Sequence, residues 1–144
     1  MKQKYISYLL LAVLLSILGF VFYRDTIDLF PAFIHGWTQS DRYAIALAFL
    51  DNGMNLFQPQ TFNLMTVNGV TGVDLPWHEY IIAWIMRITG NESPFIFRGY
   101  TLLYSLIGYF YLYKLARLFN NTILKSLVLV TFTFTLPVMA YYQA

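Results

Sequence analysis

From Tyr5 to Tyr23 the chain runs 19 residues without a charged side chain. In hydrocarbon a backbone must satisfy its own N–H and C=O groups, so such a run is constrained to be a helix. Its length suits the ~30 Å of a bilayer core. The alternative is a cleaved signal peptide. The apolar run is too long for an h-region, however, and no small-x-small site follows it, which favours an uncleaved anchor. Lys2 and Lys4 precede the run, and Arg24, Asp25 and Asp28 follow it. The positive-inside rule then puts the N-terminus in the cytoplasm. Composition agrees with a membrane protein. Hydrophobic residues make up 58% of the chain and charged residues 11%, against ~25% charged in soluble domains. The 12 tyrosines suit bilayer interfaces, where a ring has one apolar and one wet side. The net charge of +2 is spread over several loops, and no nucleic-acid partner is expected. With no cysteine there is no disulfide framework and no thiolate metal site.

Arg24 to about Pro76 is too polar to span. It carries Asp25, Asp28, Asp41, Arg42, Asp51 and Asp74, and Asn52 to Gly72 is rich in turn formers. This is read as the body of a large outer loop, 24–94, with a short helix over 41–51 that Ser40 caps. Over 77–89, Trp77, Tyr80, Ile81, Trp84, Ile85 and Ile88 recur at helical spacing. A helix of that length covers only ~20 Å, so an amphipathic helix lying in the interface is expected, ended by Gly90. Glu79 and Arg87 fall on its other faces. A second span is expected over 95–112 and a third over 126–142, with Pro137 inside it. Lys114, Arg117 and Lys125 mark the short loop at Asn120-Asn121 as cytoplasmic. The expected fold is all-α and integral to the membrane, with three spans and juxtamembrane helices in the first outer loop. Three spans leave much apolar surface unexplained, so the chain reads as the N-terminal part of one larger polytopic domain.

Several residues can carry chemistry, and each has an ordinary alternative. Asp41 at the membrane surface can act as a general base on a lipid-borne substrate. Equally, an acid in the first helical turn after Ser40 is a helix-start residue favoured by the macrodipole. Asp74 in the run Asp74-Leu75-Pro76-Trp77-His78-Glu79 is either the start of the interfacial helix or a metal or substrate ligand. Adjacent His78 and Glu79 point to different faces and make poor joint metal ligands. Arg98, the charge of the second span, is either a snorkelling anchor or a phosphate partner, a task that suits its planar fork. His35 and Trp37 either anchor the interface or line a sugar site. No phosphate-binding Gly motif, Cys/His metal motif or Ser nucleophile elbow is present.

Taken in order, these segments resemble the N-terminal part of a GT-C type glycosyltransferase that uses polyprenyl-phosphate sugars. The protein O-mannosyltransferases and the aminoarabinose lipid A transferases belong to that superfamily. The resemblance rests on Ser40-Asp41-Arg42-Tyr43-Ala44 continued by Ala48-Phe49-Leu50-Asp51-Asn52-Gly53, and on Asp74-Leu75-Pro76-Trp77-His78-Glu79-Tyr80 through Gly90. It extends over Phe97-Arg98, Leu115-Ala116-Arg117-Leu118-Phe119 and Leu136-Pro137-Val138-Met139-Ala140-Tyr141-Tyr142. It implies inverting transfer of a sugar to a lipid, glycan or protein acceptor on the outer face of a bacterial inner membrane. Asp41 maps onto the catalytic base, Arg98 onto an arginine tied to activity, and Asp74 onto an acid near a divalent metal, the one cofactor raised. The substrate-binding set implied is Arg98, Asp74, Arg42, Tyr43, Trp37 and His78. Two features depart from the family: Asp41-Arg42 stands where the mannosyltransferases often have Asp-Glu, and the Lys-Pro-Pro form of the second motif is absent. The first points away from protein mannosylation and towards a bacterial lipid-linked transferase. The rival class is a transporter, flippase or small membrane subunit, which would more often set its charges at mid-membrane between broken helices.

Overall fold

The computed structural model describes residues 2–31, 36–61, 69, 70, 72, 74–119 and 122–143. They form six helices: α1 (Lys2–Tyr23), α2 (Gly36–Asp51), α3 (Trp77–Thr89), α4 (Pro94–Phe119), α5 (Ile123–Thr135) and α6 (Pro137–Tyr142). No strand occurs among the described residues; an isolated antiparallel bridge joins Gln60 to Val70. The chain divides into two compact units, one of residues 1–27 and 98–144, the other of residues 28–97.

The first unit packs α1, α4 and α5 around Leu11, Leu15, Tyr23, Tyr109, Tyr113, Val130 and Phe134. Aromatic rings knit it together: Phe134 meets Tyr109 at 5.2 Å and Tyr23 at 6.2 Å between centroids. Such tilted pairs add ~0.5–1.5 kcal/mol each beyond their buried area. The Tyr23 hydroxyl donates to the Ala140 carbonyl at 2.7 Å, giving a buried phenol its partner. The outward faces are apolar as well, with Leu9, Ile17 and Phe20 on α1, Leu103 and Ile107 on α4, and Val128 and Phe132 on α5 all exposed. Thr131, Thr133 and Thr135 return their hydroxyls to carbonyls four residues back, so these polar groups are satisfied within the helix.

On hydropathy, among the described residues only α1 is long and apolar enough to cross a membrane, over Tyr5–Tyr23. The expected second span at 95–112 lies in a longer helix, α4, which runs on to Phe119. Tyr100, Tyr104, Tyr109, Tyr111, Tyr113 and three cations dilute its hydropathy. The expected third span at 126–142 is not one helix. It breaks at Leu136, whose ψ of 129° is extended, because the ring of Pro137 disfavours α geometry in the residue before it. Pro137 then opens α6 at the position where its missing N–H costs nothing. The break strips the Phe134 carbonyl of its helical donor, and the Gln143 side-chain amide replaces it at 3.1 Å.

In the second unit α2 packs on α3 through Ile45, Phe49, Met54 and Ala83, with Leu50 and Tyr80 at the margin. Ala46 and Ala83 are fully buried, and such small side chains let two helices approach closely. α2 ends at Asn52-Gly53-Met54, where Met54 adopts a left-handed φ of 58°. That conformation costs ~1–2 kcal/mol for a residue with a Cβ. It is held by burial of the Met54 side chain and by its N–H donating to the Phe49 carbonyl at 3.0 Å. The segment after α2 is pinned where Thr61 N–H donates to the Gly69 carbonyl at 2.9 Å. Gly69 has φ +71°, and a Cβ there would stand 2.6 Å from the Thr61 carbonyl oxygen. Gly69→Ala combines a strained φ with a backbone clash, at a cost of ~1–3 kcal/mol. It should accelerate amide exchange at Thr61 while leaving α2 protection unchanged; equal protection at Thr61 would count against this pinning.

Candidate functional site

α2 begins at Gly36, five residues earlier than the expected start at Asp41. Ser40 is therefore not an N-cap, and Asp41 lies in the second turn with no role at the helix end. The cap preference of serine is outweighed because Thr38 and Gln39 carry no breaker and Gln39 is buried in the packed face. The consequence is register: Trp37, Thr38, Asp41, Arg42 and Ile45 fall along one side of the helix. Opposite them stand Gly72, Asp74, Pro76 and Glu79, and together these residues line a cleft of about 330 Å³ within the second unit.

Asp74 is also displaced from its expected place as the start of α3. The N-cap is Pro76, with no side-chain cap hydrogen bond; the tight Leu75-Pro76 step starts the helix instead. At the other end α3 stops as expected, with Gly90 at φ 64° and its N–H on the Met86 carbonyl, the left-handed closure glycine allows. Asp41 and Asp74 are both exposed on the cleft wall. Neither is used to cap a helix.

The face of α3 turned to α2 carries Glu79, Ile82, Ala83 and Met86, while Trp77, Ile81, Trp84 and Ile88 are exposed. Glu79 was expected on a polar face and is instead buried. It is part of a second i, i+3, i+4, i+7 set interleaved with the tryptophan stripe. Its side chain is 3% exposed and accepts from Arg42 Nη1 at 2.5 Å, so the buried carboxylate faces a guanidinium. Arg42, 51% exposed, stretches across the cleft floor to do so. Glu79 is the cleft residue that pattern reading missed. The available signal was the small residue Ala83, one turn along from Glu79 on the face buried against α2.

The cleft thus gathers Trp37, Asp41, Arg42 and Asp74 of the expected residues. Tyr43 is not among its lining. It is buried, its hydroxyl donates to the Glu92 carbonyl at 2.5 Å, and its ring meets Phe97 and Phe30 edge-on. Burial, and secondarily the nearby Glu92 carboxylate, raises the phenol above its ordinary pKa, so Tyr43 is a neutral bolt between α2 and the start of α4. His78 is exposed and outside the cleft lining, one residue and ~100° round the helix from Glu79. Arg98 belongs to the first unit, half-buried in α4. His35 lies outside the described residues. No three His, Asp or Glu side chains among the described residues come together as a metal-binding set.

Chemically, the cleft offers an unengaged carboxylate on a helix face, a second from the facing loop, a guanidinium tied to a buried glutamate, and an exposed indole at its edge. That set can accept a proton and bind hydroxyl groups. No protein-family model, no curated protein and no solved structure matches this chain.

Proposed function

We propose that the chain is part of a membrane glycosyltransferase of the GT-C type, moving a sugar from a polyprenyl-phosphate donor to a lipid, glycan or protein acceptor. The observation that carries this reading is the pairing of Asp41 and Asp74 on one cleft although neither caps a helix. The helix-end role weighed for each does not hold, and the shared cleft supports a chemical role for the pair. Asp41 takes the proton of the attacking hydroxyl or amine. The acceptor oxygen or nitrogen bonds to the anomeric carbon as the carbon–oxygen bond to the lipid phosphate breaks with inversion. Charge developing on that phosphate calls for a fixed cation, and Arg98 is the residue assigned to it. Should a divalent metal take part, Asp74 is its candidate ligand.

The setting is a bacterial inner membrane, with the N-terminus cytoplasmic and residues 24–94 outside. The spans are α1, α4 and the broken α5–α6 segment. The apolar outer faces of all these helices support it, since soluble proteins do not leave contiguous surfaces of that kind open to water. The exposed stripe Trp77, Ile81, Trp84 and Ile88 supports α3 as an interfacial helix. Arg87, stacked 5.5 Å from the Trp84 ring, sits at headgroup level. Spin labels placed singly at Ile81, Trp84 and Ile88 should report greater bilayer depth than labels at His78, Arg87 and Asn91. A monotonic rise in depth along the helix would mean that it crosses. The transferase reading itself is tested by sugar transfer from polyprenyl-phosphate donors with Asp41 replaced by Asn.

A further inference from the structure

Glu79 is the buried group that the transfer step leaves unused. Its Oε1 holds Arg42, but its Oε2 is buried with no hydrogen-bond partner among the described residues, and the residue lines the cleft. Buried polar atoms are nearly always paired, and leaving a carboxylate oxygen unpaired is more costly than leaving a neutral one. A ligand that brings a donor to Oε2 removes that cost. The charge of the cleft says which donor. Among the described residues lining it, Asp41, Asp74 and Glu79 face one cation, Arg42, and that cation is already paired. A phosphate entering here meets carboxylates without compensation, whereas a hydroxyl supplies a donor and adds no charge. Trp37, exposed at the edge, offers a flat face of the sort on which the C–H side of a sugar ring packs.

We propose that the α2–α3 cleft is a phosphate-excluding polyol subsite, in which Glu79 Oε2 accepts a hydrogen bond from a ligand hydroxyl and selects it. This deepens the transferase reading and rests on it for the ligand being a sugar. The cleft holds the hydroxyl-bearing partner beside Asp41, and the phosphate of the donor is bound elsewhere.

The test uses the whole chain in lipid nanodiscs with Trp77→Phe and Trp84→Phe, which leaves Trp37 as the sole tryptophan and a local fluorescence reporter. Methyl α-glucoside should change Trp37 emission saturably, and glucose 1-phosphate should bind at least ~tenfold more weakly. Loss of one charge-assisted hydrogen bond in Glu79→Gln should weaken the glucoside about tenfold and narrow the preference over the phosphate ester. A folded Glu79→Gln chain with unchanged glucoside affinity, or a parent that binds the phosphate ester as well as the glucoside, overturns the proposal. If Glu79→Gln does not fold, the exposed Asp74→Asn decides. It should raise glucose 1-phosphate affinity about threefold relative to the glucoside, and an unchanged ratio overturns the exclusion. These are binding readouts. Absence of transfer by the parent protein would remove the transferase reading and leave Glu79-dependent polyol binding intact, whereas transfer present in the parent with binding indifferent to Glu79 would remove this inference alone.

Discussion

Replacing Asp41 by Asn should lower sugar transfer by ~10²–10⁴, the usual worth of a positioned general base, while leaving the protein folded. The separation of the two effects follows from where Asp41 sits. It is exposed, lies inside α2 rather than at its end, and makes no hydrogen bond or ion pair among the described residues. Asp and Asn have nearly the same helix propensity, so the exchange should change stability by less than ~0.5 kcal/mol. The measurement is transfer from a labelled polyprenyl-phosphate sugar by membranes of cells expressing the variant from its natural locus, with amide exchange of α2 as the folding control. Near-normal turnover with α2 protected would falsify the base assignment. Lost turnover with α2 unprotected would show a structural role instead.

The largest effect on stability should come from Arg42→Ala. Breaking a buried ion pair by removing one partner costs ~3–5 kcal/mol, because the other charge stays buried alone. Arg42 is half in water, so a cost below that range, ~2–3 kcal/mol, is expected. The burden falls on Glu79, whose second oxygen already lacks a partner among the described residues. The double replacement Arg42→Met with Glu79→Leu should recover most of the loss, since an apolar pair of similar volume avoids the desolvation penalty. Urea unfolding of the four corners of this cycle, followed by α2 and α3 amide exchange, measures the coupling. A coupling energy below ~0.5 kcal/mol would mean that the pair is ornamental and that apolar packing alone joins the two helices.

How far the sequence reveals this arrangement depends on which physical signal was strong. α3 could be bounded at Trp77 and Thr89 because its periodicity is regular and Gly90 supplies the left-handed closure. The charge-free run of α1 could be bounded for the same kind of reason. The start of α2 could not, because a cap preference of ~1 kcal/mol was set against tertiary burial of Gln39 and its neighbours, which local sequence does not display. The break at Leu136 was only half legible: Pro137 announces a disturbance, but whether a helix kinks or divides depends on what receives the freed carbonyls. Asp41 and Asp74 are legible as polar residues following a helix long and apolar enough to cross a membrane, though for Asp74, as for Asp41, the helix-end role weighed beside chemistry does not hold. Glu79 was hidden by the tryptophan stripe beside it: α3 has two apolar faces, and the larger side chains drew attention to the outer one.

The amide of Gln143 on the Phe134 carbonyl has a consequence for how the last two helices can move. A proline break is commonly a hinge, since the backbone there has lost its ladder. Here the missing rung is replaced from nine residues further along the chain, and the Tyr23 hydroxyl fastens α6 a second time through Ala140. Swinging α6 away from α5 would therefore leave the carbonyls of Phe134 and Ala140 bare at once. Two separate helices in outline behave as one cooperative element, an elbow set at a fixed angle, and neither can fray without loosening the other.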